Sequence, residues 1–283
     1  MNAPDPADLI EQLLGLLVTA GDYALAIQPR IAGPGQKDGH NAWVSALTDA
    51  DLSVQNFFEV ALLARFPGVR FFGEEHAQSL NQKYFPQDAA LSVHLDPVNG
   101  TFLYKNQRPN WDIIVSVAER GRLLAAMSYM PASGRFYLAR RGSGALTGDR
   151  RHPRLADFLP LHTRPGSRQC LTYQLPEINA RLRGAFECYD IVTDDDPGRG
   201  LDNLNEFYSG RLAAFACRAG DCLDWGAAAF IAVAAGGKAT RLDGSPLDIF
   251  EDFDPQRAVD MLVAADATTH AAIMAQLSRQ AGA

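Results

Sequence analysis

The chain has 283 residues, of which 47% are hydrophobic and 21% are charged. This composition is typical of a globular protein that buries a sizeable core, so disordered and fibrous classes are excluded. The net charge of -7 argues against a surface for nucleic-acid polymers, and the densest basic run is only Arg140-Arg141, with Arg150-Arg151 nearby.

The first part of the chain is predicted to contain two helices. Leucines recur at three- and four-residue intervals across residues 6–27, which predicts a helix with one buried face. A connection rich in Gly and Pro follows at residues 31–39. The second helix is predicted to begin near Thr48 or Asp49, both good N-cap residues, and to stop at Pro67.

Apolar segments after the second helix are predicted to be strands. Residues 69–72 end at Gly73-Glu74-Glu75, and residues 91–95 end in a turn sequence that contains Pro97 and Asn99-Gly100. Three more segments, separated by turns that contain Gly, indicate antiparallel hairpins: residues 113–118, 123–129 and 135–139. Residues 1–150 are therefore predicted to be an α+β half with two helices on a largely antiparallel sheet.

The pattern changes to alternating helices and strands beyond residue 150. We predict a helix at residues 176–186, a strand at 188–193, a helix at 201–208 and an apolar helix at 224–235. This alternation is typical of α/β layers, so residues 151–283 are predicted to be an α/β half.

Several classes of protein are excluded by what the sequence lacks. The cysteines Cys170, Cys188, Cys217 and Cys222 contain no Cys-x-x-Cys pair, so we expect buried thiols instead of a zinc site or disulfides. No His-x-x-x-His pair or Gly-x-Ser-x-Gly elbow is present. The acidic N-terminus is unlike a signal peptide, and no apolar run approaches the roughly 18 residues of a membrane span. We expect a cytoplasmic protein without membrane contact.

Carboxylates follow predicted strands, where burial is costly unless they are paired or bind a cation. Glu74 and Glu75 follow one strand and Asp96 follows the next, and Asp51 and Asp224 could join them. Oxygen-only sets of this kind suit magnesium, manganese or calcium. Each residue also has an ordinary explanation when taken alone: Asp51 as a solvated acid of a first helical turn, Asp224 as an N-cap and Val98-Asn99-Gly100 as a tight turn.

Taken together, the order and spacing of these residues resemble the inositol monophosphatase family. That family belongs to a magnesium-dependent, lithium-sensitive phosphatase superfamily with fructose-1,6-bisphosphatase and the bisphosphate nucleotidases. The matching segments are Leu47-Thr48-Asp49-Ala50-Asp51, Phe72-Gly73-Glu74-Glu75, Leu95-Asp96-Pro97-Val98-Asn99-Gly100-Thr101, and Leu223-Asp224-Trp225-Gly226-Ala227-Ala228 followed by Ala235-Gly236-Gly237. The segment from Tyr137 to Ala145 is also similar to the family's hairpin.

The resemblance implies an alternating α/β/α/β/α layered sandwich and a homodimer. It also implies a site that holds two or three Mg²⁺ ions, with Mn²⁺ as a substitute and Li⁺ as an inhibitor. The implied metal ligands are Glu74, Asp96, the carbonyl of Val98, Asn99 and Asp224.

The resemblance further implies how the site would work. Glu74 and Thr101, the latter bonded to Asp51, would help to deprotonate a metal-bound water. The backbone amides of Gly100 and Thr101 would bind the phosphate.

The sequence departs from the family pattern at three places. Asn99 replaces a carboxylate, so one negative charge facing a metal is lost and the second metal should bind more weakly. Leu223 replaces a tryptophan while Trp225 follows Asp224, which is expected to alter packing more than chemistry. Counting back from Asp224 without gaps places the position that contacts inositol at Cys217, beside Arg218. The implied substrate-binding residues are therefore Gly100, Thr101, Gly198, Gly200, Cys217 and Arg218.

Two functions are expected from these residues. The first is a Mg²⁺-dependent phosphomonoesterase that hydrolyses a small phosphorylated polyol, sugar or nucleotide. The alternative is a degenerate family member that binds a phosphorylated ligand or a protein partner with little or no turnover because of Asn99.

Overall fold

Two helices open the chain in the computed structural model, which describes residues 4–31, 35–36, 46–194, 196 and 198–279. Helix α1 spans Pro6–Ile27 and α2 spans Asp49–Arg65, close to the predicted bounds. Thr48 and Asp51 form a capping box that begins α2. Two short antiparallel strands lie between the helices, β1 at Gly35–Gln36 and β2 at Ala46–Leu47. Most of the connection predicted at residues 31–39 lies outside the described residues.

Helix α1 corrects one expectation from the sequence. Together with the 3₁₀ turn that ends at Arg30, it is long and apolar enough to cross a membrane by length and composition. The sequence did not show this because charged residues interrupt the apolar run. The leucine face of the helix is buried against α2 and the neighbouring sheet, which is the packing of a core helix.

A seven-stranded sheet lies beneath these helices, with its strands in chain order from β3 to β9. Only β3 and β4 pair in parallel, and all other neighbours are antiparallel. The strands are β3 (Arg70–Gly73), β4 (Leu91–Asn99), β5 (Asp112–Glu119), β6 (Arg122–Met130), β7 (Arg135–Arg140), β8 (Gly144–Asp149) and β9 (Leu159–Pro160).

Strand β4 continues through the residues that the sequence predicts as a turn. A register shift between Asp96 and Asn99 lets the strand keep pairing with β5 despite Pro97, because a bulge releases the proline from the ladder. The turn comes only at Gly100, and the short helix α3 (Thr101–Lys105) follows it.

A five-stranded mixed sheet forms the second half, with strand order β11-β10-β12-β14-β13. Its strands are β10 (Gln169–Tyr173), β11 (Glu187–Asp190), β12 (Ala214–Asp221), β13 (Lys238–Arg241) and β14 (Ala258–Ala264). Its helices are α4 (Pro176–Leu182), α5 (Ala227–Ala234) and α6 (Ala267–Arg279).

Four predicted elements of this half differ from the structure. The helix predicted at residues 176–186 is Pro176–Leu182. The helix predicted at residues 201–208 is a 3₁₀ turn at Leu204–Phe207. The apolar helix begins at Ala227 instead of Asp224, because the preceding π turn at Cys222–Gly226 holds the aspartate. The strand predicted at residues 188–193 is Glu187–Asp190.

The elements stack in five layers, which confirms the predicted sandwich. Helices α1 and α2 cover one face of the seven-stranded sheet, and α5 packs between the two sheets. Helices α4 and α6 cover the outer face of the five-stranded sheet. Alanines dominate α5, and such small side chains allow the two sheets to approach it closely.

Candidate active site

A cavity of about 310 Å³ opens where the end of β4 faces the end of β12. Five carboxylates are among its lining residues, and no Lys, Arg or His belongs to the described lining. The residues are Glu74, Asp96, Val98, Asn99, Gly100, Thr101, Tyr173, Ile191, Asp202, Asn203, Leu204, Ala219, Gly220, Asp221, Asp224 and Trp225. A phosphate group in this cavity would meet strong repulsion unless cations neutralised the wall.

The parallel pairing of β3 and β4 brings Glu74 and Asp96 to one edge of the sheet. Glu74 donates its backbone N–H to the carbonyl of Leu95 at 2.9 Å, which ties the end of β3 to β4. Oδ1 of Asp96 accepts from the backbone N–H of Val98 at 3.0 Å, which fixes this carboxylate within the bulge. Two residues 22 positions apart in sequence thus line the same cavity wall.

Thr101 lies at the first turn of α3, directly beside Asp51. Its hydroxyl lies 3.0 Å from Oδ1 of Asp51 and 2.9 Å from the carbonyl oxygen of Val98, and either can accept its proton. Gly100 adopts a left-handed φ of 84°, which a residue with Cβ rarely tolerates and which turns the chain from strand into helix.

Asp51 is fully buried beneath the cavity and is held by Thr48. Its Oδ2 accepts from the backbone N–H of Thr48 at 2.8 Å and from the hydroxyl at 2.5 Å. Burial raises the pKa of Asp51 to about 7, and the negative charges of Glu74 and Glu75 act in the same direction. Asp51 is therefore not the solvated first-turn acid of the ordinary explanation.

Asp224 approaches the cavity from the opposite side. The π turn presents its carboxylate, whose Oδ1 accepts from the backbone N–H of Trp225 at 2.6 Å. Burial raises the pKa of Asp224 well above its usual range, and the negative charges of Asp221 and Glu74 add to this shift. Carboxylates from both sheets therefore act on one another across the cavity.

Cys217 and Arg218, which the sequence assigns to substrate binding, do not belong to the cavity lining. Cys217 is completely buried, and its thiol donates to the carbonyl of Val259. Arg218 forms an ion pair with Glu177. Strand β12 bulges between Cys217 and Gly220, and Ala219, Gly220 and Asp221 line the wall.

Gly198 and Gly200 also lie outside the lining. Gly198 donates its N–H to Asp196, and the carbonyl of Gly200 accepts from Arg211. The following residues Asp202, Asn203 and Leu204 line the cavity in their place. Arg108 lies 3.6 Å from Asp202, so this carboxylate has its own counter-ion.

The structure adds wall residues that the sequence analysis missed. Trp225, expected to affect packing, lines the cavity and stacks on Tyr173 with ring centroids 5.8 Å apart. Asp221 stands three residues before Asp224, and this spacing of two acids was a usable signal. No sequence signal marks Tyr173 or Ile191, because they belong to separate strand ends that only the sheet brings here.

The donor set of the cavity suits a hard cation. All candidate ligands offer oxygen: the carboxylates of Glu74, Asp96 and Asp224, the carbonyl of Val98 and the amide of Asn99. Among the residues that the structure describes, no three His, Cys, Asp or Glu side chains form a ready metal cluster. The case for a bound cation therefore rests on the oxygen donors and the negative charge of the cavity wall.

Comparison with known proteins identifies the family. A model of the inositol monophosphatase family matches residues 34–281. The chain belongs to this family. Membership places it among hydrolases of phosphate esters, and it confirms the resemblance of the sequence segments.

Named relatives of the chain include two inositol-1-monophosphatases. The one from Caulobacter vibrioides is 25% identical over 218 residues, which cover 72% of this chain and 79% of the relative. The one from Rhizobium meliloti is 29% identical over 105 residues, 37% of this chain and 38% of the relative. A histidinol-phosphatase from Chlorobaculum parvum is 27% identical, over 35% of this chain and 36% of the relative.

Solved structures share the whole fold. The Thermotoga maritima IMPase superposes with a TM-score of 0.73 at 16% identity, covering 96% of this chain and 97% of that chain. An IMPase/NADP phosphatase complexed with Mg²⁺ and phosphate has a TM-score of 0.70 at 17% identity, covering 97% of both chains. At these identities the likeness establishes the fold alone.

Proposed function

We propose that the protein is a Mg²⁺-dependent phosphomonoesterase that hydrolyses a small phosphorylated polyol, sugar or nucleotide. The main support is the composition of the cavity wall. Carboxylates from both sheets line it, and the described lining contains no basic side chain. A phosphate ester is an anion, so only cations held by these oxygens make such a wall a phosphate site.

The ligands of the cation are proposed from the wall itself. Glu74, Asp96 and the carbonyl of Val98 would hold one ion, and Asp96, Asn99 and Asp224 a second. When bound, Mg²⁺ supplies charge neutralisation and lowers the pKa of a coordinated water. The structure solved with Mg²⁺ and phosphate supports this choice of metal.

Thr101 and Asp51 are proposed to move the proton of the attacking water. When the Thr101 hydroxyl donates to Asp51 at 3.0 Å, its oxygen is free to accept a proton from the cavity side. Glu74 lines the same wall and serves as a second acceptor. Gly100 and Thr101 lie at the start of α3, where backbone N–H groups lack acceptors within the helix. These N–H groups are proposed to bind the phosphate oxygens.

The substrate is proposed by class. The names of the relatives span inositol phosphate and histidinol phosphate, so the family's phosphate site accepts different alcohols. In this chain Tyr173, Ile191 and Trp225 add large apolar and aromatic side chains to the cavity lining. We expect Mn²⁺ to replace Mg²⁺ and Li⁺ to inhibit, and the homodimer and the cytoplasmic location stay predictions.

The test is phosphate release from a panel of esters: inositol phosphates, fructose bisphosphate, histidinol phosphate and adenosine bisphosphate. Each is assayed with Mg²⁺, with Mn²⁺ and with EDTA, for the wild-type chain, Glu74→Gln and a matched control, Glu59→Gln. Glu59 is a buried carboxylate that bonds Gln55, Ser79 and Asn81 and lies outside the cavity lining.

We expect phosphate release to depend on the metal. Glu74→Gln should lower the rate by about 10²–10⁴-fold, and Glu59→Gln should leave it near the wild-type value. Equal rates for wild type and Glu74→Gln would contradict the proposal. Silence on every ester, together with a phosphorylated ligand that raises the melting temperature, would favour the binding protein that Asn99 suggests.

A further inference from the structure

A second buried carboxylate lies directly behind the cavity wall. Asp112 is the first residue of β5 and is only 1% exposed. It does not belong to the cavity lining, and none of the expected family roles falls on it. Asp112 contacts Asn99, the residue that replaces the carboxylate of the family pattern.

Asp112 is held entirely by neutral donors among its described hydrogen-bond partners. Oδ1 accepts from Nδ2 of Asn99 and from Nδ2 of Asn203, both at 2.9 Å. Oδ2 accepts from Oγ of Ser128 at 2.5 Å and from Nδ2 of Asn205 at 3.0 Å. Each oxygen thus accepts two hydrogen bonds, and the Ser128 hydroxyl also lies 3.1 Å from Oδ1 of Asn205.

The bond to Asn99 is set by the sheet. Asn99 is the last residue of β4 and is paired directly with Asp112 across the antiparallel ladder, so the two side chains lie on the same face. Nδ2 of Asn99 donates to Oδ1 of Asp112, so the NH₂ group of Asn99 faces Asp112. Because an amide carries its two polar atoms on opposite sides, the carbonyl oxygen of Asn99 is turned away from Asp112.

We propose that Asp112 is a positioning residue, which locks the Asn99 amide with its carbonyl oxygen toward the cavity as a cation ligand. The proposal rests on the proposed function for the identity of the ligand, and on the hydrogen bonds of Asp112 for the mechanism of positioning.

Asn99 supplies a hydrogen-bond donor to the acceptor of Asp112, so a substitution at residue 99 also affects Asp112. An aspartate there would place two acceptor-only groups at paired positions with no donor between them, which costs stability. Asn99→Asp alone should therefore not improve the site. Asn99→Asp combined with Asp112→Asn restores one donor and one acceptor between these two residues in reversed order, and the new NH₂ group then also faces Nδ2 of Asn203.

The experiment uses four variants of the full chain: Asn99→Asp, Asp112→Asn, the double variant and Glu59→Gln. Glu59 is the control because it is also 1% exposed and bonded to neutral amide and hydroxyl groups, but it does not belong to the cavity lining. Melting temperature is measured in EDTA, and binding of Mn²⁺ alone is measured by calorimetry.

We expect Asn99→Asp to melt about 5 °C or more below wild type and the double variant to recover part of this loss. Asp112→Asn should weaken Mn²⁺ binding by about 10–100-fold, as loss of a group that orients a metal ligand does. Glu59→Gln should lower the melting temperature without changing Mn²⁺ binding.

Unchanged Mn²⁺ affinity in Asp112→Asn would overturn the positioning role, and so would an Asn99→Asp protein as stable as wild type. If Asp112→Asn does not fold, the double variant carries the test: it must exceed Asn99→Asp in stability and bind Mn²⁺ at least as tightly as wild type. Absence of Mn²⁺ binding by the wild-type chain would instead contradict the proposed function, which separates the two failures.

Discussion

The two walls of the cavity differ in how the chain builds them. On the β4 side, strand, bulge, turn and helix follow one another within residues 96–101, so neighbours in sequence are neighbours at the site. On the β12 side, a bulge after Cys217 and a π turn around Asp224 change which residues face the cavity. The contiguous segment on the β4 side therefore lines the cavity as a unit, whereas Cys217 and Arg218 on the β12 side lie outside the lining.

The largest effect is expected on the β4 side, from Asp96→Asn. Asp96 would serve both ions, so its loss should lower kcat/KM for the preferred ester by about 10³-fold or more. The control is Asp190→Asn, which alters another buried aspartate at a strand end outside the lining. An Asp96→Asn enzyme within tenfold of wild type would remove the β4 wall from the mechanism.

Thr101→Val should have the next largest effect. It removes the hydroxyl that lies between Asp51 and the carbonyl of Val98 while keeping the side-chain shape. We expect kcat to fall by about 10²-fold with KM nearly unchanged, because the hydroxyl acts on the proton and not on binding. Thr101→Ser, which retains the hydroxyl, should keep most of the rate; equal losses in both variants would show that only packing matters.

Gly220→Ala probes the bulge on the β12 side. A Cβ there would lie 2.6 Å from Sγ of Cys217 and 2.8 Å from Cγ of Trp225. We expect a loss of about 1–3 kcal/mol in unfolding free energy and a raised KM, because Trp225 must move. Gly15→Ala, in α1 with nothing within 4 Å, should instead leave KM unchanged and not destabilise the helix. Urea unfolding curves measure the stability of both variants, and initial rates measure their KM; a KM for Gly220→Ala equal to that of Gly15→Ala would contradict the role of the bulge.

Arg218→Ala should have the smallest effect. Its ion pair with Glu177 lies on the surface and outside the cavity lining, and such pairs contribute about 0–1 kcal/mol. KM for each ester should stay within about twofold of wild type. A tenfold rise in KM would instead support the expectation from the sequence that Arg218 binds the substrate.

Much of the fold could be predicted from residue patterns. The leucine spacing of α1 and the capping box of α2 determine those helices locally, and strand lengths in the first sheet follow the apolar runs. The course of β4 through Pro97 could not be predicted, because a bulge depends on the partner strand β5. Asp51 and Asp224 could be named from their motif, but the complete burial of Asp51 and the raised pKa values of both could not be predicted.

The missed residues have a common physical cause. Tyr173, Ile191 and Trp225 reach the wall from a strand end, the turn after a strand and a π turn, and only tertiary packing brings them together. The partnership of Asn99 with Asp112 likewise depends on strand register, which a bulge resets. Sequence spacing carries neither kind of information.

The central claim is that carboxylates from both sheets hold divalent cations in one cavity. The most direct measurement is anomalous diffraction from crystals soaked in Mn²⁺ and inorganic phosphate. We predict a peak within about 2.0–2.6 Å of the oxygens of Glu74 and Asp96, with phosphate density beside Gly100 and Thr101. Phosphate bound in the cavity without an anomalous peak would contradict the account.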